Sequence, residues 1–292
     1  MKIIISRKGV DSGERSGRMA SPILPCGCLC SIPIPYKSGV PYSEVRFGKR
    51  TLWSMCRELD SNWCHELAHL DPDLRYESLA RDKRPRGWRP AFGQIAAAAS
   101  HLNNQHVDKG DLFLFFGWFR RTRTTGGKLE FDSKDSGRHI IYGWLEVGEK
   151  VEVDSVQQAL SNDLLFVRSH AHFHFSKHEY PNNVYVSSLS GLKAGLFGTE
   201  SKDLVLTDPS CRARSQWLLP RKPFRSVYGQ CGISYHGNET RWKSADAGIS
   251  LRVVNRGQEF VLDGERHPSV YQHFAKQIKD AVEESRACTH DF

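Results

Sequence analysis

The sequence predicts an α+β fold in which helices pack on a mixed sheet. Two long apolar segments, 112–119 and 139–147, are typical of buried strands. Helical patterns occur upstream of these strands, at 51–70 and 92–104, and again at 268–286. The composition of the 292 residues, 39% hydrophobic and 25% charged, is typical of a globular protein. Such a chain is long enough to bury a full core.

The N-terminal elements begin with a strand at residues 1–7, because residues 3–5 are all isoleucine. We expect this strand to be central in the sheet. Residues 8–50 are rich in proline and glycine, and so long a segment without regular structure is uncommon in a compact domain unless it is functional. The helix predicted at 51–70 rests on apolar side chains at helical spacing, which are Leu52, Met55, Leu59, Trp63 and Leu67.

The downstream elements follow from the same patterns. In chain order we expect a basic loop at 81–91, an alanine-rich helix at 92–104, the two long strands, a short helix at 155–161, short strands and turns at 164–265, and the last helix at 268–286.

The two long strands resemble those of the PUA, ASCH and EVE barrels, which often read a modified or flipped base. A Gly-Asp turn precedes the first strand, and Gly143 interrupts the second. The resemblance implies a PUA/ASCH-like β-barrel-type core over about 105–150; the alternative is two core strands of an unrelated sheet. Trp118 and Arg120 would share one strand face, where an indole and a guanidinium can stack a base and contact phosphate.

Charge and hydropathy restrict the partners and the compartment. The formal net charge of +8 suits a polyanionic partner, because basic side chains release counterions from phosphates. No run of about 18 apolar residues is present, so no membrane partner is expected. The apolar run at residues 3–5 is too short for a signal peptide. We therefore expect a cytoplasmic protein with mostly reduced cysteines.

Four motifs in the first 120 residues resemble one known family. They are Ser-Arg-Lys-Gly-Val-Asp-Ser at 6–12, Ser-Pro-Ile-Leu-Pro at 21–25, Ile-Pro-Ile-Pro at 32–35 and His-Leu-Asp-Pro-Asp-Leu-Arg at 69–75. Together they are similar to the third of the nucleotide-modification-associated domain families of bacteria and phages.

That resemblance implies a single domain over residues 1–292 with a role in modifying bases in DNA. The implied setting is restriction-modification or phage defence. The implied partners are DNA or a modified nucleobase, and other DNA-modification enzymes. The sequence departs from the family pattern at Cys26, Cys28 and Cys30, whose spacing fits no ordinary zinc knuckle.

The first candidate site residues follow the N-terminal strand. Ser6, Arg7 and Lys8 are candidates for binding substrate or nucleic acid, and Asp11 is a catalytic candidate. Polar side chains at the end of a buried strand often carry function. The alternative is an edge strand followed by a solvated basic loop.

His69, Asp71 and Asp73 form the main catalytic candidate. Two carboxylates close together can have separated pKa values, so that one serves as acid and the other as base. The alternative is a capping and turn cluster, a common role of Asp and Pro.

The run His65-Glu66-Leu67-Ala68-His69 suggests a different chemistry. On a helix it would place two imidazoles on one face for zinc, with the glutamate as base. This zinc site, with His65 and His69 as ligands, is the alternative to our expectation of no metal and no other cofactor.

Three further segments add binding candidates. Residues 81–90 contain five cations and Trp88, a combination suited to gripping a nucleic-acid backbone, with Arg89 as a contact. Gln94, near the start of the following helix, would lie where helix N–H groups favour an anion. His170, His172 and His174 alternate, so a strand would place them on one face as a metal site or an aromatic ladder. Of these three, His172 is a candidate for substrate contact.

These observations predict an enzyme that modifies a base in DNA or as the free base. The most specific hypothesis is hydration of the nitrile of 7-cyano-7-deazaguanine to the amide, 7-amido-7-deazaguanine, because an Asp/His cluster could activate water beside a base-stacking wall. A non-catalytic PUA-like reader and a zinc-dependent hydrolase remain alternatives. In the enzyme hypothesis one cleft is lined by Arg7, Lys8, Trp88, Arg89, Trp118 and Arg120.

Overall fold

The computed structural model describes residues 1–12, 19–153, 160–174, 181–211, 213–254 and 259–287. The strands are β1 (Lys2–Arg7), β2 (Ser21–Ile23), β3 (Ile34–Pro41), β4 (Arg46–Phe47), β5 (Arg50–Thr51), β6 (Leu67–His69), β7 (Ala91–Ile95), β8 (Leu112–Thr125), β9 (Lys128–Phe131), β10 (Arg138–Glu152), β11 (Asn182–Ser187), β12 (Ala194–Leu196), β13 (Gln216–Leu219), β14 (Trp242–Ala245), β15 (Gly248–Arg252) and β16 (Glu259–Asp263). The α-helices are α1 (Leu52–Leu59), α2 (Ala96–Asn104), α3 (Arg221–Gln230) and α4 (Pro268–Ala287).

A large mixed sheet organises the fold. Within the described residues it has nine strands, and its main path runs β16-β1-β8-β10-β11-β7. β1 pairs parallel with β8 and antiparallel with β16, while the other neighbours on this path are antiparallel. The prediction of an α+β fold with a mixed sheet is therefore confirmed.

The N-terminal strand is central, as expected. Ile3, Ile4 and Ile5 have no exposed surface and belong to the largest apolar cluster of the protein. Both edges of β1 are paired, and its consecutive buried isoleucines alternate between the two faces of the sheet.

The expected barrel core is not confirmed. The path of the large sheet is open, because β7 and β16 lie at its two ends and do not pair with each other among the described strands. The two long strands β8 and β10 pair antiparallel, and they belong to this open sheet.

The helix predicted over 51–70 is right only for its first half. Thr51 caps α1 by accepting the backbone N–H of Ser54 at 3.2 Å, and the helix ends before Asp60. The chain then returns as β6, which pairs antiparallel with β3. The segment 8–50 therefore contains short strands. One of them, β3, positions β6, whose last residue is His69.

The helix predicted over 92–104 begins later than expected. Residues up to Ile95 form β7, which pairs antiparallel with β11, and only α2 is helical. Gln94 therefore lies on a strand and not at a helix N-terminus. The region 164–265 contains α3, which the sequence analysis missed, whereas the last helix is confirmed as α4. The helix expected at 155–161 lies largely outside the described residues.

The helices that the structure describes are all too short or too polar to cross a membrane.

A buried Asp71 cluster as candidate active site

The Asp71 carboxylate lies at the centre of a buried polar cluster. Its Oδ2 is 3.8 Å from His69 Nε2 and 3.6 Å from His172 Nε2. Its Oδ1 is 3.4 Å from His170 Nε2 and accepts the backbone N–H of Gly93 at 2.7 Å. All four of the Asp and His side chains are buried. Three imidazoles thus surround one carboxylate that the backbone holds in place.

Three separate parts of the chain bring these side chains together. His69 ends β6, and the chain then runs beside β7, where Asp73 and Ala91 exchange two backbone hydrogen bonds of 2.9 and 3.0 Å. The imidazole of His172 comes from a 3₁₀ helix, Ala171–His174, which packs on β7. The expected strand at the histidine repeat is therefore wrong, although both His170 and His172 reach Asp71.

Gly93 makes room for the His172 ring. A Cβ at this position would lie 2.2 Å from His172 Cδ2 and 2.7 Å from its Nε2. The imidazole therefore packs directly on the backbone of β7, where only glycine leaves space.

Asn182 fixes the orientation and tautomer of His172. The Asn182 side-chain N–H donates to the His172 carbonyl at 2.9 Å, so its Oδ1 faces His172 Nδ1 at 2.8 Å. An amide oxygen can only accept, so Nδ1 carries the proton and donates it. In neutral His172 the lone pair is therefore on Nε2, the nitrogen that faces Asp71.

The cluster changes the proton affinity of its members. Burial lowers the pKa of His69 to about 4, and the charge of Asp71 only partly opposes this effect. Burial alone would raise the pKa of Asp71, but the neighbouring His170 and His172 outweigh it and hold that pKa well below its usual range. At neutral pH the site contains an ionised Asp71 and a neutral His69.

The cluster opens onto a cavity of about 310 Å³. The lining residues are Lys8, Gly9, Ser12, Ile34, Tyr36, His69, Asp71, Gln94, Ile95 and His172. Of these, Tyr36 is 38% exposed, and its ring lies 5.4 Å from that of His69. The cavity therefore combines the buried cluster with an accessible aromatic ring.

An ammonium group and an amide form another wall of the cavity. Lys8 Nζ lies 3.3 Å from Glu259 Oε1, an atom that also accepts a hydrogen bond from Gln94 Nε2. Among the described residues, Glu259 Oε2 and the hydroxyl of the adjacent Ser6 have no hydrogen-bond partner. Two of the predicted binding residues, Lys8 and Gln94, therefore line the cavity, whereas Ser6 is buried beside Glu259 and does not line it.

Asp73 faces a neighbouring cavity of about 380 Å³. Arg84 donates to both oxygens of Asp73, and Trp88 Nε1 donates to Oδ2 at 3.1 Å. Burial raises the pKa of Asp73, and its hydrogen bonds to Arg84 oppose that rise. The structure thus gives Asp71 and Asp73 different partners.

Arg89, another predicted binding residue, donates to the Ser187 carbonyl at 2.5 Å.

Two of the expected cleft residues lie across the sheet from the cavity. Lys8, which lines the cavity, packs over the Phe92 ring at 4.6 Å, and Phe92 packs on Phe115. The Phe115 side chain therefore lies on the same face of the sheet as the cavity. Trp118 lies three residues beyond Phe115 along β8, so it points to the opposite face and packs on His139. Arg120 shares that face, where it donates to two backbone carbonyls at 3.0 Å. The prediction of one cleft lined by all six residues is wrong.

Arg7 and Asp11 pair with each other near β8. Arg7 Nη2 donates to Asp11 Oδ2 at 2.8 Å, and Asp11 Oδ1 accepts the Trp118 backbone N–H at 3.0 Å. Because Arg7 and Lys8 are consecutive residues at a strand end, their side chains diverge. Asp11 is therefore held in a structural network beside the cavity-lining Gly9.

The helical basis of the alternative zinc site is wrong. His65 lies between α1 and β6, where its carbonyl accepts Trp63 Nε1 at 3.1 Å. The segment leading to His69 is not helical, so its two histidines do not share a helix face. Within the described ranges, the group that could hold a metal ion is instead His69, Asp71 and His172, whose ligand atoms lie within 4.8 Å of one another.

Sequence reasoning missed Glu259, Asn182 and a contact of His170 with Asp71. Glu259 stands 165 positions from Gln94 and arrives through the pairing of β16 with β1. Only the alternating histidines gave a local signal for His170, and nothing local indicated the other two.

Comparisons with known proteins identify the family of this chain. No curated protein and no solved structure matches it. The sequence profile described as nucleotide modification associated domain 3 matches residues 2–263, which is most of the chain, and the protein therefore belongs to that family.

Proposed function

We propose that the protein is an enzyme that modifies a nucleobase, in DNA or free, by adding water to a nitrile. The substrate proposed is a 7-cyano-7-deazaguanine base, which becomes the 7-amido base. Family membership supports a nucleotide or DNA substrate. The observation that carries the proposal is the buried carboxylate and imidazole cluster that opens onto a cavity with an ammonium and an amide.

The reaction needs one polar group to activate water and another to protonate nitrogen. The cluster of Asp71 and its imidazoles orients the water and takes one of its protons, while the water oxygen bonds to the nitrile carbon and one C–N π bond breaks. The nitrogen takes a proton from Lys8 or from solvent, and the imidate then rearranges to the amide. No oxidant or reductant is required.

Asp71 is a better candidate for the reacting carboxylate than Asp73. Asp71 lines the cavity that contains Lys8 and Gln94, whereas Asp73 is engaged by Arg84 and Trp88. In this proposal Asp73 is a positioning residue, because its backbone hydrogen bonds to Ala91 hold the Asp71 segment beside β7.

Mass spectrometry tests the reaction directly. Purified protein is incubated with the nitrile base, its nucleoside and DNA that contains it, and the product should gain the mass of one water. Asp71→Asn should lower the rate by about 100-fold or more, the scale for loss of a general acid or base. Asp82→Asn, at an exposed position, is the matched control and should keep the full rate.

The reader hypothesis predicts a different outcome. A non-catalytic reader would bind the modified base without any change in mass, and Asp71→Asn would then alter binding alone. Absence of the water adduct with all three substrates would refute the nitrile proposal.

A further inference from the structure

The spacing of the Asp71 cluster is unusual for hydrogen bonds. His69 Nε2 and His172 Nε2 lie 3.8 and 3.6 Å from the same oxygen, Asp71 Oδ2. Charged N–H···O hydrogen bonds are about 2.7–2.9 Å long. Two ligands of one tetrahedral ion, each bonded at about 2.0–2.1 Å, lie about 3.3 Å apart. The observed separations are closer to the ligand–ligand distance.

From this geometry we propose that His69, Asp71 and His172 bind one divalent first-row transition metal ion. Their ligand atoms lie within 4.8 Å of one another, and all three side chains are buried. Two imidazoles and one carboxylate form a donor set that suits zinc and iron(II).

The His172 tautomer supplies an independent argument. Its Nδ1 donates to Asn182, so Nε2 is the ring nitrogen that faces Asp71 Oδ2 and is the atom placed to bind a metal ion. A metal ion at this point would accept a lone pair from each of these two atoms.

The surroundings of the three ligands are those of a metal centre. Gly93 N–H holds Asp71 Oδ1 at 2.7 Å, which leaves Oδ2 directed at the two imidazoles. Asn182 orients His172 through its other ring nitrogen, as outer partners of metal-binding histidines commonly do. Three protein ligands leave coordination positions for water, and the cavity lies on that side.

The metal ion would also contribute to the proposed reaction, because an ion at Asp71 would lower the pKa of a bound water and so aid its addition to the nitrile. That role rests on the proposed function, whereas binding itself does not. Metal binding without turnover would refute the reaction alone. Turnover that persists after complete metal removal would refute the catalytic role of the metal alone.

Metal titration of the purified full chain tests the binding. After treatment with a chelator, the protein is dialysed against Co²⁺ or Zn²⁺ and the bound metal is measured by elemental analysis. We expect one ion per chain and a visible Co²⁺ spectrum of nitrogen and oxygen ligation. His172→Ala and Asp71→Asn should weaken binding by about 100-fold or more, and Asn182→Ala by about 10–100-fold.

His65→Ala is the matched control, because it removes a histidine of the alternative motif that lies outside the cluster. It should retain one ion with unchanged affinity. Circular dichroism and urea unfolding establish that each variant is folded. If His172→Ala or Asp71→Asn does not fold, Asn182→Ala tests the site instead, because it changes the orientation of His172 without removing a ligand. Failure of the wild-type protein to bind either ion stoichiometrically would overturn the proposal. Unchanged affinity in folded His172→Ala or Asn182→Ala, or loss of the ion in His65→Ala, would do the same.

Discussion

Replacement of Gly93 by alanine should damage the proposed metal site without removing any of its proposed ligands. The new Cβ would lie 2.2 Å from His172 Cδ2, whereas ordinary contacts begin at 3.4 Å. The ring must therefore move by about 1.2 Å, since carbon atoms this close repel steeply. Metal–ligand distances tolerate only about 0.2 Å of error, so His172 would leave its coordinating position.

The expected result is a loss of about 10–100-fold in Co²⁺ affinity, which corresponds to about 1.4–2.8 kcal/mol. Competition with a chromophoric chelator measures this affinity. The rate of nitrile hydration should fall in the same preparation. Because the ring is also tied to Asn182 by a 2.8 Å hydrogen bond, its displacement should break that bond as well.

Gly198→Ala is the matched control, because a Cβ there would meet nothing within 4 Å. It should retain wild-type affinity and rate. Wild-type Co²⁺ affinity in Gly93→Ala would refute the assignment of His172 as a ligand held against β7.

Three more variants separate structure, chemistry and nucleic-acid binding. Asp73→Asn should lower the free energy of unfolding by about 3–5 kcal/mol, because it leaves the buried Arg84 guanidinium without its carboxylate; a loss below 1 kcal/mol in urea unfolding would contradict this. Lys8→Met, which removes the cation beside Glu259, should lower the hydration rate by about 100-fold but leave one Co²⁺ per chain; loss of the ion would assign Lys8 a structural role instead. Arg86→Ala, at an exposed position, should reduce by about one the slope of log affinity for DNA against log salt; an unchanged slope would argue against a phosphate contact.

Local sequence patterns correctly predicted the helices and strands whose conformation does not depend on residues distant in the chain. The isoleucines of β1, the long strands β8 and β10, and α4 follow from apolar runs and helical spacing. The helix at 51–70 was too long because Trp63 fits helical spacing, whereas it is buried by an edge contact with Tyr42. Pairing with β11 makes a strand of residues that are expected to be helical, and such long-range pairing has no local signal.

In the candidate site, too, local motifs identified some residues, whereas residues brought in by long-range pairing were missed. His69 and Asp71 stood out through the family motif, and His172 through the alternation of histidines. Lys8 and Arg7 were expected in one cleft, although strand periodicity places consecutive side chains on opposite faces. Asn182 and Glu259 reach the site through sheet pairing, so their distance along the chain hid them.

Mass spectrometry of DNA nucleosides is the most direct test of the central claim, that the Asp71 cluster carries out base modification. DNA from cells that contain the nitrile-forming enzymes is compared with the intact gene, with Asp71→Asn and with Asp82→Asn. We expect the amide nucleoside with the intact gene and with Asp82→Asn, and accumulation of the nitrile nucleoside or base with Asp71→Asn. The same amide level in all three strains, with Asp71→Asn protein present in equal amount, would contradict it.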